Sequence, residues 1–288
     1  MGMMIDGRWV AEDAIPRDEE GRFVRSETAF HHRIGEPEFP AEAGRYHLYV
    51  SLACPWAHRT LIMRRLKGLE ALIPVHVVHP HMLEDGWAFR PEPEPLYGFT
   101  HAYELYAKAD PRYTGRVSVP ILWDKKAETI VCNESAEIIR MFNTAFDALT
   151  GNGEDFYPAE LREEIDEINA FVYEHVNNGV YLCGFATAQD AYEEAYEALF
   201  AALDELEAQL EGRSFLVGET LTEADIRLFP TLIRFDAVYY SHFKCNRNRI
   251  SDMPNLWRYL KRLWAIPAFR DTTDFEHIKQ HYYYSHAS

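Results

Sequence analysis

Long apolar runs are missing from this 288-residue sequence, which nowhere approaches the roughly 18 uninterrupted apolar residues of a membrane-spanning helix. The first thirty residues also lack the basic start and apolar run of a secretory leader. A cytoplasmic location is expected, with no membrane partner. Cysteine is scarce too: residues 54, 132, 183 and 245 are too few for a disulfide scaffold and too scattered for a C-x-x-C metal pair, so each reads as a thiol. Basic residues are outnumbered. The 29 Lys and Arg face 46 Asp and Glu, a net charge of −17 that repels a polyanion over most of the surface, so nucleic acid is not an expected ligand. The one basic run, Lys244, Arg247 and Arg249, reads as a solvated helix end or loop. Acidity of this degree is also compatible with adaptation to salt.

What the sequence does contain is enough to fold. Hydrophobic residues make up 47% and aromatic residues 14%, enough to fill one large core or two ordinary ones. Residues 1–43 are rich in charge, Gly and Pro with isolated aromatics, and read as an arm lying over a domain. From Arg45 the pattern becomes regular. RYHLYVSL reads as a strand, PWAHRTLIMRRLKGL has helical spacing through Ala57, Leu61, Ile62 and Leu66, and LIPVHVV reads as a second strand, together a βαβ unit. Residues 80–116 are polar and aromatic and too long for an ordinary connection, so an inserted functional loop or lid is expected. RVSVPILWD and ETIVCN then predict a hairpin, and ESAEIIRMFNTAF a helix that closes a domain at about residue 145. After residue 159 every periodic segment is helical. The expected architecture is an arm (1–43), an α/β domain (44–145) and an all-α domain (159–288), the last two joined across residues 145–158.

The stretch YVSLACPWAHRT carries the chemistry. Pro55 suits the first turn of a helix, because its fixed φ fits and its missing N–H would be unpaired there. Cys54 is then the N-cap, where backbone N–H groups and the positive end of the helix dipole favour a thiolate, the nucleophilic form. His58 and Arg59 follow on the first turns. Position 57 is Ala, so no neighbouring thiol can resolve a disulfide formed at Cys54. A thiol from solution is required. The alternative reading is a buried, inert cysteine at a strand end.

Two further segments bear on this choice. In RVSVPILWD a cis Pro120 would turn the backbone of Val119 outward to pair with an extended peptide. In VCNESAEIIRMF, Asn133, Glu134 and Ser135 open a helix, offering a hydroxyl and N–H groups to a carboxylate and a side-chain carboxylate to an ammonium. Alternatively, Asn133 or Ser135 caps its own helix. Taken together, these segments suit a ligand with an amino acid end, a peptide middle and a sulfur.

CPWAHR, VPILWD, NESAEIIRMFN, VNNGVY, LTEADIRLF, RFDAVYYSHFKCN and QHYYYSH, in this order from about Asp6 to the last residues, resemble the glutathionyl-hydroquinone reductases, the Xi class of glutathione transferases. The resemblance implies a thioredoxin-like N-terminal domain, an all-helical C-terminal domain and a homodimer. It implies that glutathione is the co-substrate and a quinone-derived aromatic thioether the substrate. By position it makes Cys54 the nucleophile, Val119 before a cis Pro120 the backbone partner of the glutathione cysteinyl group, and Glu134 and Ser135 the holders of the γ-glutamyl end. Trp87, in EDGWAF, matches a tryptophan that contacts glutathione. Tyr181 and Tyr282 match tyrosines that face the aromatic substrate.

There are departures. The sequence stops at SHAS where relatives commonly continue, so a tail that closes the site is expected to be absent or altered. Cys132 replaces a small polar residue, and reads as a second reactive thiol or a small buried residue. Arg112 and Arg116 are candidates for binding the glycyl carboxylate.

The reaction implied is a two-step thiol exchange through a Cys54–glutathione mixed disulfide that releases glutathione disulfide. The competing readings are an omega-like thioltransferase or dehydroascorbate reductase using the same cysteine, and a non-catalytic thiol-binding module. His76, His79 and His81 in HVVHPHM have no carboxylate or cysteine beside them in sequence, and no metal is expected there. In LTEADIRL, Thr222 and Asp225 form a capping-box variant for a helix whose Ile226 and Phe229 face the core, a structural role.

Overall fold

The structure, a computed structural model, describes residues 2–11 and 15–286 and divides into two compact units. The first combines the N-terminal hairpin, Ser26–Glu154 and the C-terminal helix from Glu276; the second combines Ile15–Arg25 with Asp155–Phe275.

In the first unit β1 (Met3–Ile5) and β2 (Arg8–Val10) form an antiparallel hairpin. Asp6 and Gly7 make its turn with φ of 46° and 74°, both in the left-handed region that a two-residue hairpin requires. A Cβ on Gly7 would lie 1.9 Å from the Pro111 carbonyl oxygen, so only glycine lets the turn sit there. Strand β3 (Tyr46–Val50) is buried along its whole length and is central in its sheet, with β4 (Val75–Val77) parallel on one side and β5 (Ile121–Asp124) antiparallel on the other. Helix α1 (Pro55–Leu66) is the β3–β4 crossover, as the spacing predicts. Strand β6 (Thr129–Cys132) pairs antiparallel with β5, completing the order β4-β3-β5-β6. Helix α2 (Ala102–Ala109) precedes β5, and α3 (Ser135–Thr144) follows β6 and packs on α1. This is the expected thioredoxin-like arrangement.

The short α4 (Asp147–Thr150) ends this run. Beyond it the buried Lys67 ammonium donates to the carbonyls of Asn152 and Glu154 and pairs with Asp147 at 2.9 Å. One cation thus ties the end of the Ser26–Glu154 run to the end of α1.

The second unit is helical. It contains α5 (Arg162–Phe171), a wide π-type segment (Val172–Asn177), α6 (Gly179–Phe185), α7 (Gln189–Gln209), and α8 (Glu223–Arg234) running into a second π-type segment (Phe235–Tyr239). Helices α9 (Pro254–Trp264) and α10 (Pro267–Arg270) complete it, and the chain then enters α11 (Phe275–Ser285), which from Glu276 belongs to the first unit. Thr222 and Asp225 form the capping box of α8, and Ile226 and Phe229 are fully buried, as the sequence indicates.

Three features differ from the sequence reading. Residues 80–116 are not a lid: Trp87, Phe89, Ala102, Leu105 and Tyr106 belong to the core of the first unit, and the stretch contains α2. Buried Glu94 explains how a segment this polar folds inward. Its carboxylate accepts from the backbone N–H groups of Leu96, Tyr97 and Phe99 (2.9, 2.7 and 3.2 Å) and from the Tyr49 hydroxyl (2.8 Å), replacing the water those donors would otherwise need. The arm does not lie over a single domain either. Met4 is core in the first unit, Ile15–Arg25 packs in the second, and His32 donates to Val131 O at 2.9 Å, covering the β6 edge. Finally, α11 packs with the first unit although it follows the helical run. Its His281 Nδ1 bonds Pro80 O at 2.8 Å, and its Ser285 hydroxyl accepts from Met82 N at 2.9 Å.

Candidate active site

Cys54 caps α1. The residue is extended (φ −72°, ψ 118°), its sulfur accepts the Ala57 N–H at 3.5 Å, and Pro55 starts the helix. A turn before it sets this geometry: Cys54 N donates to Ser51 O at 3.1 Å while Ala53 N donates to Ser51 Oγ at 3.2 Å. No acidic residue occupies the first turn, so nothing there opposes the positive helix end. The thiol is partly exposed, whereas Cys132, Cys183 and Cys245 are buried. His58 and Arg59, which follow Cys54 on the first turns, are both buried, with the Arg59 guanidinium 4.6 Å from the centre of the Trp56 ring.

Val119 meets this sulfur. The Val119–Pro120 bond is cis, and the Cys54 thiol donates to Val119 O at 3.4 Å, so two segments 65 residues apart in sequence converge on one atom. The side chain that aligns them is one the sequence did not single out. The Tyr106 hydroxyl, buried on α2, donates to Ser118 O (2.9 Å) and accepts from Ser118 N (3.2 Å) and from Asn133 Nδ2 (3.0 Å). Asn133 Oδ1 in turn accepts from Phe30 N at 3.1 Å. Asn133 therefore joins arm, α2 and β6 and does not cap α3. Only an aromatic at helical spacing marked Tyr106 in the sequence, and that pattern signals core in general.

Glu134 is the cap of α3. Its Oε1 accepts from Ala136 N at 3.0 Å and from the Ser135 hydroxyl at 3.4 Å, and its Oε2 accepts from the Thr28 hydroxyl at 3.4 Å. A carboxylate has about four acceptor positions, so room remains for an ammonium. Beside it, Cys132 is sealed. Burial pushes its thiol up, and the neighbouring carboxylates of Glu137 and Glu134 push the same way, outweighing the hydrogen bond from Glu134 N. Cys132 is the small buried residue, not a second reactive thiol.

The remaining candidates are distributed over both units. Trp87 stacks on His281 with centroids 4.9 Å apart and planes 23° apart. Tyr282 lies on α11 in the first unit, 1% exposed. Tyr181 lies on α6 in the second, 9% exposed among Phe185, Tyr239 and Phe243. Arg112 is exposed on the turn after α2, and Arg116 precedes the Val119 segment. His76 packs against Phe89 at 5.3 Å and His81 stacks on Tyr284 at 3.8 Å; among the described residues no three His, Cys, Asp or Glu are grouped as a metal would need.

Residues 53–145 match the glutathione S-transferase N-terminal domain model, and residues 189–262 the C-terminal one. The chain is 53% identical to the glutathionyl-hydroquinone reductase PcpF of Sphingobium chlorophenolicum, covering 100% of this chain and 93% of that protein. It is 52% identical to the reductase YqjG of Escherichia coli, covering 99% and 92%. The crystal structure of the Xi glutathione transferase of Phanerochaete chrysosporium superposes with a TM-score of 0.91 at 53% identity, over 94% of this chain and 90% of that one. The chain belongs to the Xi class of the glutathione S-transferase family. YqjG has also been solved with glutathione bound, and that structure matches this Xi-class transferase with a TM-score of 0.88. In this transferase the Cys54 thiol and the Val119 carbonyl, just before the cis Pro120, stand within one hydrogen bond of each other.

Proposed function

We propose that this Xi-class transferase is a glutathionyl-hydroquinone reductase, reducing glutathionyl-hydroquinones to hydroquinones with glutathione as co-substrate and Cys54 as the nucleophile. The carrying observation is the Cys54 sulfur at the head of α1, held by Ala57 N–H and beside Val119 O, in a chain 53% identical throughout to a reductase of that name.

In the first step the Cys54 thiolate attacks the thioether sulfur. A sulfur–sulfur bond forms, the aryl carbon–sulfur bond breaks, and the electron pair stays on the ring carbon, which takes a proton to give the hydroquinone. Sulfur is oxidised and carbon reduced. In the second step a glutathione thiolate attacks the mixed disulfide, releasing glutathione disulfide and restoring Cys54. Backbone donors at the helix head stabilise the sulfur anion at the start and end of each cycle. Val119 pairs with the cysteinyl backbone, Glu134 and Ser135 receive the γ-glutamyl end, and Trp87 contacts glutathione. Tyr181 and Tyr282 serve the phenolic oxygens or the proton delivered to the ring carbon. The protein works in the cytoplasm as a homodimer on this reading, which the class membership supports.

Incubation with the menadione–glutathione thioether should leave one glutathionyl group on Cys54, detected by mass spectrometry of the trapped protein. Turnover of dehydroascorbate faster than of that thioether would replace this reading with the omega-like one. No turnover of any thioether or disulfide would leave a thiol-binding module.

A further inference from the structure

Of the described residues of the arm, only Ile15–Arg25 belongs to the second unit, and it is fastened along the junction of α6 and α7. Arg17 Nε donates to Phe185 O at 3.3 Å, Thr187 N donates to Gly21 O at 3.1 Å, and Arg22 pairs with Glu194 at 2.9 Å. Gly21 has φ +80°, and a Cβ there would lie 2.7 Å from Thr187 Oγ1, so a side chain would lift the strap from the helices. Two residues of this strap reach Tyr181. The Phe23 ring lies 6.5 Å from it and 5.4 Å from Phe185. The Arg25 guanidinium approaches both rings, 4.9 Å from the centre of Tyr181 and 5.2 Å from the centre of Phe23.

Arg25 grips Tyr181 a second time through the backbone. Its Nε donates to Asn178 Oδ1 at 2.6 Å, and the carbonyl of Asn178 accepts the Tyr181 N–H at 2.9 Å. One side chain therefore sets both the ring and the turn from which Tyr181 projects. Phe185, Tyr239 and Phe243 pack around the same ring, with centroids 5.7, 6.1 and 5.3 Å from that of Tyr181. The guanidinium presents a planar, rigid fork to the rings and to Asn178 at once, whereas a lysine ammonium is a point charge on a flexible stem that does not reproduce that fork.

We propose that Arg25 is a positioning residue for the aromatic half of the reaction, acting through Tyr181. The inference rests on the role given to Tyr181 above. It predicts a selective defect: turnover of the aromatic thioether suffers, while the sulfur chemistry at Cys54 does not.

The test compares wild type, Arg25→Gln, Arg25→Lys, Tyr181→Phe and Arg25→Gln/Tyr181→Phe in the full chain. Two rates are measured: kcat on the menadione–glutathione thioether, and alkylation of Cys54 by iodoacetamide. Arg25→Gln should lower kcat about tenfold to a hundredfold, the usual cost of misplacing a group near the chemistry, and leave the alkylation rate within about twofold of wild type. Arg25→Lys should recover little of the loss. In the Tyr181→Phe background the Arg25 change should cost almost nothing more, because both act as one unit. Equal losses in both rates, or an Arg25 effect undiminished by Tyr181→Phe, would overturn the proposal. If Arg25→Gln fails to fold by circular dichroism, Arg25→Lys decides the matter: an unchanged ratio of the two rates overturns it. A wild type inactive on every aromatic thioether would instead sink the function proposed above.

Discussion

At the head of α1 the backbone donors meet a partly exposed sulfur, with Ala57 N 3.5 Å from Cys54 Sγ. At the head of α8 in the second unit they meet Thr222 and the fully buried Asp225, whose carboxylate also accepts from Leu216 N and the Tyr259 hydroxyl at 3.0 and 2.8 Å. Both turns begin with the same unpaired N–H groups. Saturating them with a carboxylate in the interior makes an architectural joint. Meeting them with a polarisable sulfur near the surface leaves a group able to form a bond. The head of α3 lies between the extremes, capped by Glu134 but with acceptor capacity left. Cys132 shows that proximity to a helix start is insufficient, since burial and two carboxylates raise its pKa.

Removing the sulfur should have the largest consequence. Cys54→Ser is expected to lower turnover of the aromatic thioether by about a thousandfold or more, because an unactivated hydroxyl cannot form the mixed disulfide. Steady-state release of glutathione disulfide reads this directly, and a variant retaining near-normal turnover would erase the distinction between the two heads.

At α8 the loss should appear in stability. Asp225→Ala leaves several buried donors without an acceptor and should cost about 3–5 kcal/mol, measured by urea unfolding. Burial pushes the Asp225 carboxyl up from 3.8 to about 6, against hydrogen bonds that favour its charged form. A carboxyl that holds its proton more tightly when folded contributes stability fully below its unfolded pKa, and that contribution fades as pH rises through about 6. Between about pH 4 and about pH 6.5, wild type should therefore lose about 2–3 kcal/mol that Asp225→Asn does not lose. Parallel pH profiles for the two proteins would show that Asp225 is charged throughout.

Glu134→Ala should combine both effects at lower amplitude: about 1 kcal/mol of stability from the lost cap, and a raised KM for glutathione with kcat little changed. An unchanged KM would leave Glu134 as a cap alone. Smallest of all, Cys132→Ala should keep turnover within about twofold of wild type, since a buried, protonated thiol takes no part in the chemistry. Alkylation of native protein at Cys132 as fast as at Cys54 would contradict that assignment.

Much of this was legible one element at a time. The order β3-α1-β4 followed by β5-β6-α3 was visible because each segment carries its own periodicity, and Pro55 after Cys54 marked a helix start from local stereochemistry. The Asp6-Gly7 hairpin carried an equally local signal but was submerged in a charge-rich arm. The inward fold of segment 80–116 is hidden in the sequence for a different reason: Glu94 looks solvated until Tyr49, 45 positions earlier, supplies the hydroxyl that helps bury it. Tyr106 and Arg25 had no distinguishing sequence context, because their partners lie far along the chain.

The sequence by itself determined which residues could be chemical: a cysteine with no resolving neighbour, a proline that starts a helix, a carboxylate at another helix start, and a net negative charge that disfavours polyanions. Tertiary structure alone decided which of them meet. Val119 and Cys54 come within 3.4 Å of each other because antiparallel β5 runs beside β3, Cys132 is silenced by the depth of β6, and Arg25 reaches Tyr181 because the strap crosses onto the helices. The physical reason is one of range. Helix caps and turns are settled by neighbours a few residues away, whereas burial and the convergence of distant side chains exist only once the whole chain has packed.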